Sequence, residues 1–225
     1  MFLINPYILQ ASGNPLWDGL TAYYTADNTP NDALGTYNGT LVNGATYGTG
    51  IINQGFSFDG VNDYFDIGND TFAPTGDFTI SFWVNFNSLS GWFCNIGTYS
   101  TNQGILFYIA PGNKLISIIS NSSNFIIQSP SMPTVTTGTW YHVVLSYSST
   151  SVKYYIDGFD YAGVTPPYAP AYPTPCPNTF GAANGGTTNF CNCLMDEIAL
   201  FDGRQLSDAE VTELYNLGAA KQYPN

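Results

Sequence analysis

FSFDGVNDYFDIG, residues 56–68, reads as a strand, a tight turn and a second strand. Phe56 and Phe58 fall on one face of the first strand. Asp59-Gly60 is the dipeptide that a tight turn between two strands favours. Its counterpart is LMDEIALFD, residues 194–202, an apolar strand with acids near its start. The two segments become neighbours only in a fold that brings the ends of the domain together. Between them, apolar alternation is broken by Gly, Asn and Ser turns. The pattern predicts a closed β-sandwich, with acidic side chains where the late strand meets the early loops.

Working outward, FTISFWVNF (residues 78–86) is the clearest strand. Phe78, Ile80, Phe82, Val84 and Phe86 face one way; Thr79, Ser81, Trp83 and Asn85 face the other. That period of two suits a half-buried strand. Shorter apolar runs at 105–109, 115–119 and 125–128 continue the meander. WYHVVLSY (140–147) and VKYYI (152–156) form a hairpin arm. LTAYY lies in the predicted first strand, 16–25, and 40–47 reads as one further short strand. Residues 165–177 are proline-rich and read as a loop. A single helix is expected over 208–217. Ser207 and Glu210 form a capping box, Leu206 and Val211 a staple, and Gly218 the stop. Its apolar stripe should pack on the sandwich edge.

Composition agrees with one large β-domain of 225 residues. Hydrophobic residues make up 44% and charged residues only 9%, so Asn, Ser, Thr, Gly and Tyr must supply the polar surface. The net charge of -12, with four basic residues, repels phosphate backbones and argues against nucleic acid. No apolar run reaches the ~18 residues of a membrane span, so membrane insertion is not expected. Cys94, Cys176, Cys191 and Cys193 lack zinc-site spacing; they read either as small buried thiols or as one Cys176–Cys191 bridge with two free thiols. Residues 1–15 stand apart from the alternation. Phe2, Leu3, Ile4, Tyr7, Ile8 and Leu9 concentrate apolar surface there, which must fold back on the domain of residues 16–225 or dock into another chain.

Four segments together resemble the laminin G-like branch of the concanavalin A-like lectin/glucanase superfamily. They are GLTAYYTADN (19–28), FSFDGVNDYFDIG, the pair FTISFWVNF and WYHVVLSY with the YYIDG turn, and MDEIALFDGRQLSDAEVTELY (195–215). The resemblance implies an all-β, two-sheet antiparallel jelly roll. It also implies a structural calcium held by Asp27, the Gly60 carbonyl and Asp196. The alternative for Asp196 is that it faces solvent or accepts backbone amides. Asp59 and Asp63 read as turn formers rather than ligands.

Catalysis is not expected. Retaining glycosidases need two carboxylates about 5–5.5 Å apart. The chain's Glu residues are Glu197, Glu210 and Glu213, two of them on the helix. Asp196 and Glu197, adjacent on a strand, should point to opposite faces. His142, the one histidine, reads as a packed strand residue. Flat aromatic faces that could hold sugars are Trp83, Trp92, Tyr99, Tyr108 and Tyr155, with Trp83 expected on the open sheet face. A lone domain with an apolar arm resembles the accessory proteins of phage particles, such as head fibres or tail adhesins. The implied partners are a cell-surface glycan and, through residues 1–15, other virion proteins or further copies in a homo-oligomer, with the chain on the virion surface. The alternatives are a purely structural assembly protein and a secreted carbohydrate-binding domain.

Overall fold

The computed structural model describes residues 15–122, 125–128, 132–161 and 163–224, the side chains of 125–128 excepted. The apolar residues expected to dock, Phe2 to Leu9, lie outside the described residues.

In chain order the strands are β1 (Leu20–Tyr24), β2 (Thr40–Val42), β3 (Thr46–Thr49), β4 (Gln54–Asp59), β5 (Tyr64–Asp66), β6 (Phe78–Phe86), β7 (Trp92–Thr98) and β8 (Gln103–Ala110). They continue with β9 (Lys114–Asn121), β10 (Phe125–Gln128), β11 (Trp140–Tyr147), β12 (Val152–Ile156), β13 (Phe159–Asp160), β14 (Asn178–Phe180) and β15 (Asn192–Asp202), followed by helix α1 (Asp208–Tyr215). They build two antiparallel sheets, a jelly-roll sandwich. The larger runs β13-β12-β11-β6-β15-β4-β3, with β1 also on β15. The smaller runs β10-β9-β8-β7-β14-β5-β2.

The late strand is the hub. β15 aligns Met195 with Phe56 of β4, Leu200 with Ile80 of β6, and Ile198 with Tyr24 of β1. The ends of the domain therefore meet, as the two acidic-apolar segments implied. The 56–68 stretch is not a hairpin, however. β4 pairs within the larger sheet and β5 within the smaller, so the turn between them crosses the sandwich. The turn is built by its acids. Asp63 accepts the amides of Gly44 at 2.8 Å and Asp59 at 3.2 Å, and Asp59 accepts Val61 N at 2.7 Å. Gly60 sits at φ +79°, where a Cβ would come within 2.9 Å of Asn192, so no other residue fits easily. The predicted strand over 40–47 is likewise two strands in different sheets.

The two inner faces share one aromatic core. Phe82 meets Phe93, Phe107 and Phe180 edge-on, with centroids 5.2–6.3 Å apart. All nine residues of β6 are buried, not one face alone. The reason is α1. It lies across the outer face of the larger sheet rather than at its edge, and Tyr215 stacks on Trp83 at 5.7 Å. Val211 and Leu214 close a second apolar cluster with Tyr23, Val144, Tyr155 and Phe201. The capping box is present, with Ser207 N donating to Glu210 Oε2 at 2.8 Å. The helix ends at Asn216, left-handed at φ 48°, two residues before the expected glycine. A short polar side chain tolerates that conformation, so the stop did not need to wait for Gly218. All four cysteines are free and buried.

Candidate functional site

Two regions collect the residues with chemical potential. One is an acidic corner at the start of β15. Between Asp196, opposite Trp83, and Ala199, opposite Ser81, β15 holds one residue more than β6. This is a β-bulge, and Glu197 takes the left-handed φ of +49° within it. The bulge cancels the simple rule that neighbouring strand residues point apart, and both carboxyls end near Asp27. Asp196 accepts the amides of Ile51 and Ile52 at 2.9 and 3.1 Å through Oδ2, and that of Glu197 at 2.8 Å through Oδ1. Gln222 Nε2 bridges Glu197 Oε1 at 3.2 Å and Asp27 Oδ2 at 3.3 Å, while Tyr23 OH donates to Glu197 Oε2. Burial pushes Asp196 up to about 8, against the pull of its amide donors, with the Asp27 charge adding to the rise. Burial likewise raises Glu197 to about 8, offset in part by Gln222.

The corner is closed. Asp196 is fully buried and Glu197 is 4% exposed, so no glycosidic bond can reach them. Its visible work is structural: it ties the C-terminal Gln222 to β15 and to the early loop. The calcium trio does not converge either. Asp27 and Asp196 share the turn before β4, since Asp27 accepts Gln54 N at 3.1 Å, whereas Gly60 follows the far end of that six-residue strand, roughly 20 Å away. The oxygens of both acids face N–H donors, not the six to eight oxygen ligands that calcium gathers. Among the described residues no group of three His, Cys, Asp or Glu is placed to hold a metal. The residues do not fit calcium as arranged.

The second region is the outer face of the smaller sheet. In β8, Ile105 and Phe107 enter the core while Leu106 and Tyr108 point outward. In β9, Leu115 and Ile119 go in while Ile116 and Ile118 go out. Leu106, Ile116 and Ile118 thus form an apolar floor. Across β7–β8, Trp92 pairs with Tyr108, with a bulge before Cys94. Tyr99 rises from the 3-10 turn Tyr99–Thr101, which Asn102 closes in the left-handed region. Gly97 and Gly104 face each other below that turn; a Cβ on Gly104 would lie 1.8 Å from the Ile96 carbonyl. Trp92 and Tyr99 stand perpendicular at 4.4 Å, and Tyr108 lies 6.1 Å from Trp92. All three rings are half-buried, leaving part of each to solvent. Asn95 and Asn184 hold one flank, Asn184 N donating to Asn95 Oδ1 at 2.7 Å and Asn184 Oδ1 accepting Ser100 N at 3.3 Å.

The five predicted aromatics therefore divide. Trp92, Tyr99 and Tyr108 come together on this face. Trp83 and Tyr155 do not; they are buried on the other sheet. Trp83 is packed against His142 and Tyr215, and Tyr155 donates to Asp208 Oδ1 at 2.6 Å. A strand alternation cannot reveal that a helix 130 residues later covers its polar side. His142 is buried beside Trp83, with Nε2 2.9 Å from Ser81 Oγ, and burial lowers it to about 3, so it stays neutral. Sequence reasoning missed Asn95 and Asn184. The apolar character of both faces of β8 was the signal that a further apolar cluster lies outside the inter-sheet core, with the three rings packed on it.

The family profile of the concanavalin A-like lectin/glucanases superfamily matches residues 59–212. No curated protein sequence matches the chain. Among solved structures, domain 4 of an extracellular arabinanase from Geobacillus stearothermophilus, in complex with arabinotriose, superposes with TM-score 0.69 at 19% identity, covering 90% of this chain and 98% of that one. The binding domain of Paraclostridial Mosquitocidal Protein 1 gives 0.72 at 19%, covering 89% and 52%. A botulinum neurotoxin DC binding domain in complex with SialylT gives 0.68 at 16%, covering 89% and 52%. The chain thus spans about half of each toxin binding domain. At these identities the structural likeness speaks for the fold, and the profile, matching well over half of the residues, speaks for descent: the chain belongs to the concanavalin A-like lectin/glucanases superfamily.

Proposed function

We propose that this chain is a non-enzymatic adhesion or decoration module that binds glycan on the face formed by Trp92, Tyr99 and Tyr108. One observation carries the reading: three partly exposed rings form a corner over an apolar floor, on the sheet opposite the one that α1 covers. Pyranose and furanose rings have C–H faces that pack on such surfaces, while amides and hydroxyls along the rim orient their hydroxyls. The arabinanase domain in complex with arabinotriose supports the reading by analogy of fold. The closed acidic corner supports a binding role over hydrolysis. For the setting we keep display on a virion surface, with residues 1–15 docking into other virion proteins or copies of the chain. A secreted carbohydrate-binding domain and a ligand-free assembly protein are the competing settings.

Trp92→Ala is expected to weaken glycan binding at least tenfold while leaving the melting midpoint within a few degrees, because the ring lies outside the inter-sheet core. A glycan array with wild type and variant side by side checks this. A variant that binds as well as wild type would move the site elsewhere, and an array blank for wild type would favour the assembly reading.

A further inference from the structure

The sixteen acidic residues are segregated. From Phe78 to Ile156 there is no Asp or Glu, so β6 to β12 carry none. In the smaller sheet, the half made of β7, β8, β9 and β10 is free of carboxylates, and that half carries the aromatic face. The four basic residues are segregated too. Lys153, Arg204 and Lys221 pair with Asp208, Glu210 and Glu213, all on α1 over the opposite sheet. Lys114 forms no ion pair among the described residues and is exposed.

Lys114 opens β9. The β8–β9 register sets it opposite Ala110 and sets Ile116 opposite Tyr108. Side chains two apart on a strand share a face, so Lys114 stands on the same face as Ile116, Ile118 and Tyr108. It is the diagonal neighbour of Tyr108, about 7–8 Å away between backbones. A chain with net charge -12 has thus placed the one lysine or arginine without an ion pair among the described residues beside its partly exposed aromatic rings, in the acid-free half of its sheet.

We propose that the Trp92–Tyr99–Tyr108 face selects acidic glycans: sugar rings bearing a carboxylate or sulfate, the ring seated on the aromatics and the anion on the Lys114 ammonium. This rests on the glycan-binding reading above and names its ligand class. The overall negative charge does not forbid it. At physiological ionic strength, fields between exposed charges fade over about 8 Å, and stacked sheets lie about 10 Å apart, so local charge governs a ligand on this face. A charge-assisted hydrogen bond here corresponds to roughly tenfold in affinity.

The test uses glycan pairs that share rings and differ in charge: 3′-sialyllactose against lactose, polygalacturonate against its methyl ester, and dextran sulfate against dextran. Immobilised glycans would be probed with the full chain, Lys114→Gln, Lys114→Arg and Trp92→Ala, at low and high salt. At least one acidic member should bind about tenfold more tightly than its neutral partner. Lys114→Gln and high salt should both erase that preference, and Lys114→Arg should retain it; carboxylate and sulfate arms tell which anion is read. Neutral and acidic members bound equally, or a preference that survives Lys114→Gln, would overturn this inference while leaving the glycan face standing, provided Trp92→Ala still loses binding. A panel bound by none of the proteins would overturn both.

Discussion

Thermal unfolding between pH 4 and pH 9 is expected to show the protein most stable at the acid end, with the midpoint falling by ~10 °C or more as the pH rises through 8. Asp196 and Glu197 both stand near 8 in the fold, against ordinary values of 3.8 and 4.5. Between about 4 and 8 the folded chain therefore holds protons that the unfolded chain has released. Each group then removes up to about 1.4 kcal/mol of stability per pH unit across that window. Below it both states are protonated and the full stability is present; above 8 the loss is complete. The groups facing the pair do not reverse the sign. Asp27 adds negative charge, while Gln222 and Tyr23 are neutral, and the nearby Lys221 pairs instead with Glu213. Glu197→Gln separates this local effect from general repulsion at net charge -12. It should leave the acid midpoint nearly unchanged, raise the alkaline one and flatten the slope. A midpoint independent of pH from 5 to 9 would show that both acids fold ionised, and an unchanged slope in that variant would show it of Glu197.

Asp32→Ala should be among the most damaging single changes at a polar position, lowering the unfolding free energy by about 4 kcal/mol. The side chain is 4% exposed and accepts four backbone amides. Oδ1 takes Tyr23 N at 2.9 Å and Leu34 N at 3.1 Å; Oδ2 takes Thr36 N and Tyr37 N, each at 3.1 Å. One carboxylate therefore pins β1 to the loop after it, and that loop positions the Tyr37 carbonyl that receives the Tyr24 hydroxyl at 2.7 Å. Alanine leaves four donors without an acceptor. Asparagine restores one oxygen but turns an N–H₂ toward the other two amides, so Asp32→Asn should cost roughly half as much. Urea unfolding of the three proteins checks this. A variant within 1 kcal/mol of wild type would mean that water serves the loop as well as the carboxylate does.

The sandwich was legible because its signals are local and repeated. Alternation in 78–86 and 140–147, the turn dipeptides, and the capping box of Ser207 and Glu210 each record a short-range preference, and all agree. The meeting of 56–59 with 192–195 was also legible, as two acidic-apolar segments that only a closed fold could join. Asp59 and Asp63 were readable as turn formers for the same local reason, and so were the exposed rings of Trp92, Tyr99 and Tyr108 as candidates.

What a linear pattern could not carry is whatever depends on a distant element arriving. Trp83 and Tyr155 have the alternation of exposed residues, yet α1, far along the chain, lies over them. Asp32 looks like any turn aspartate until β1 and its loop converge on it. A one-residue bulge at Glu197 overrides the rule of opposite faces, because a period of two holds only while both strands advance in step. Chain order and side-chain type settled the two-layer fold. The choice of which face stays open, and of which lysine stands beside its rings, came from long-range packing, since burial belongs to pairs of elements and not to any one segment.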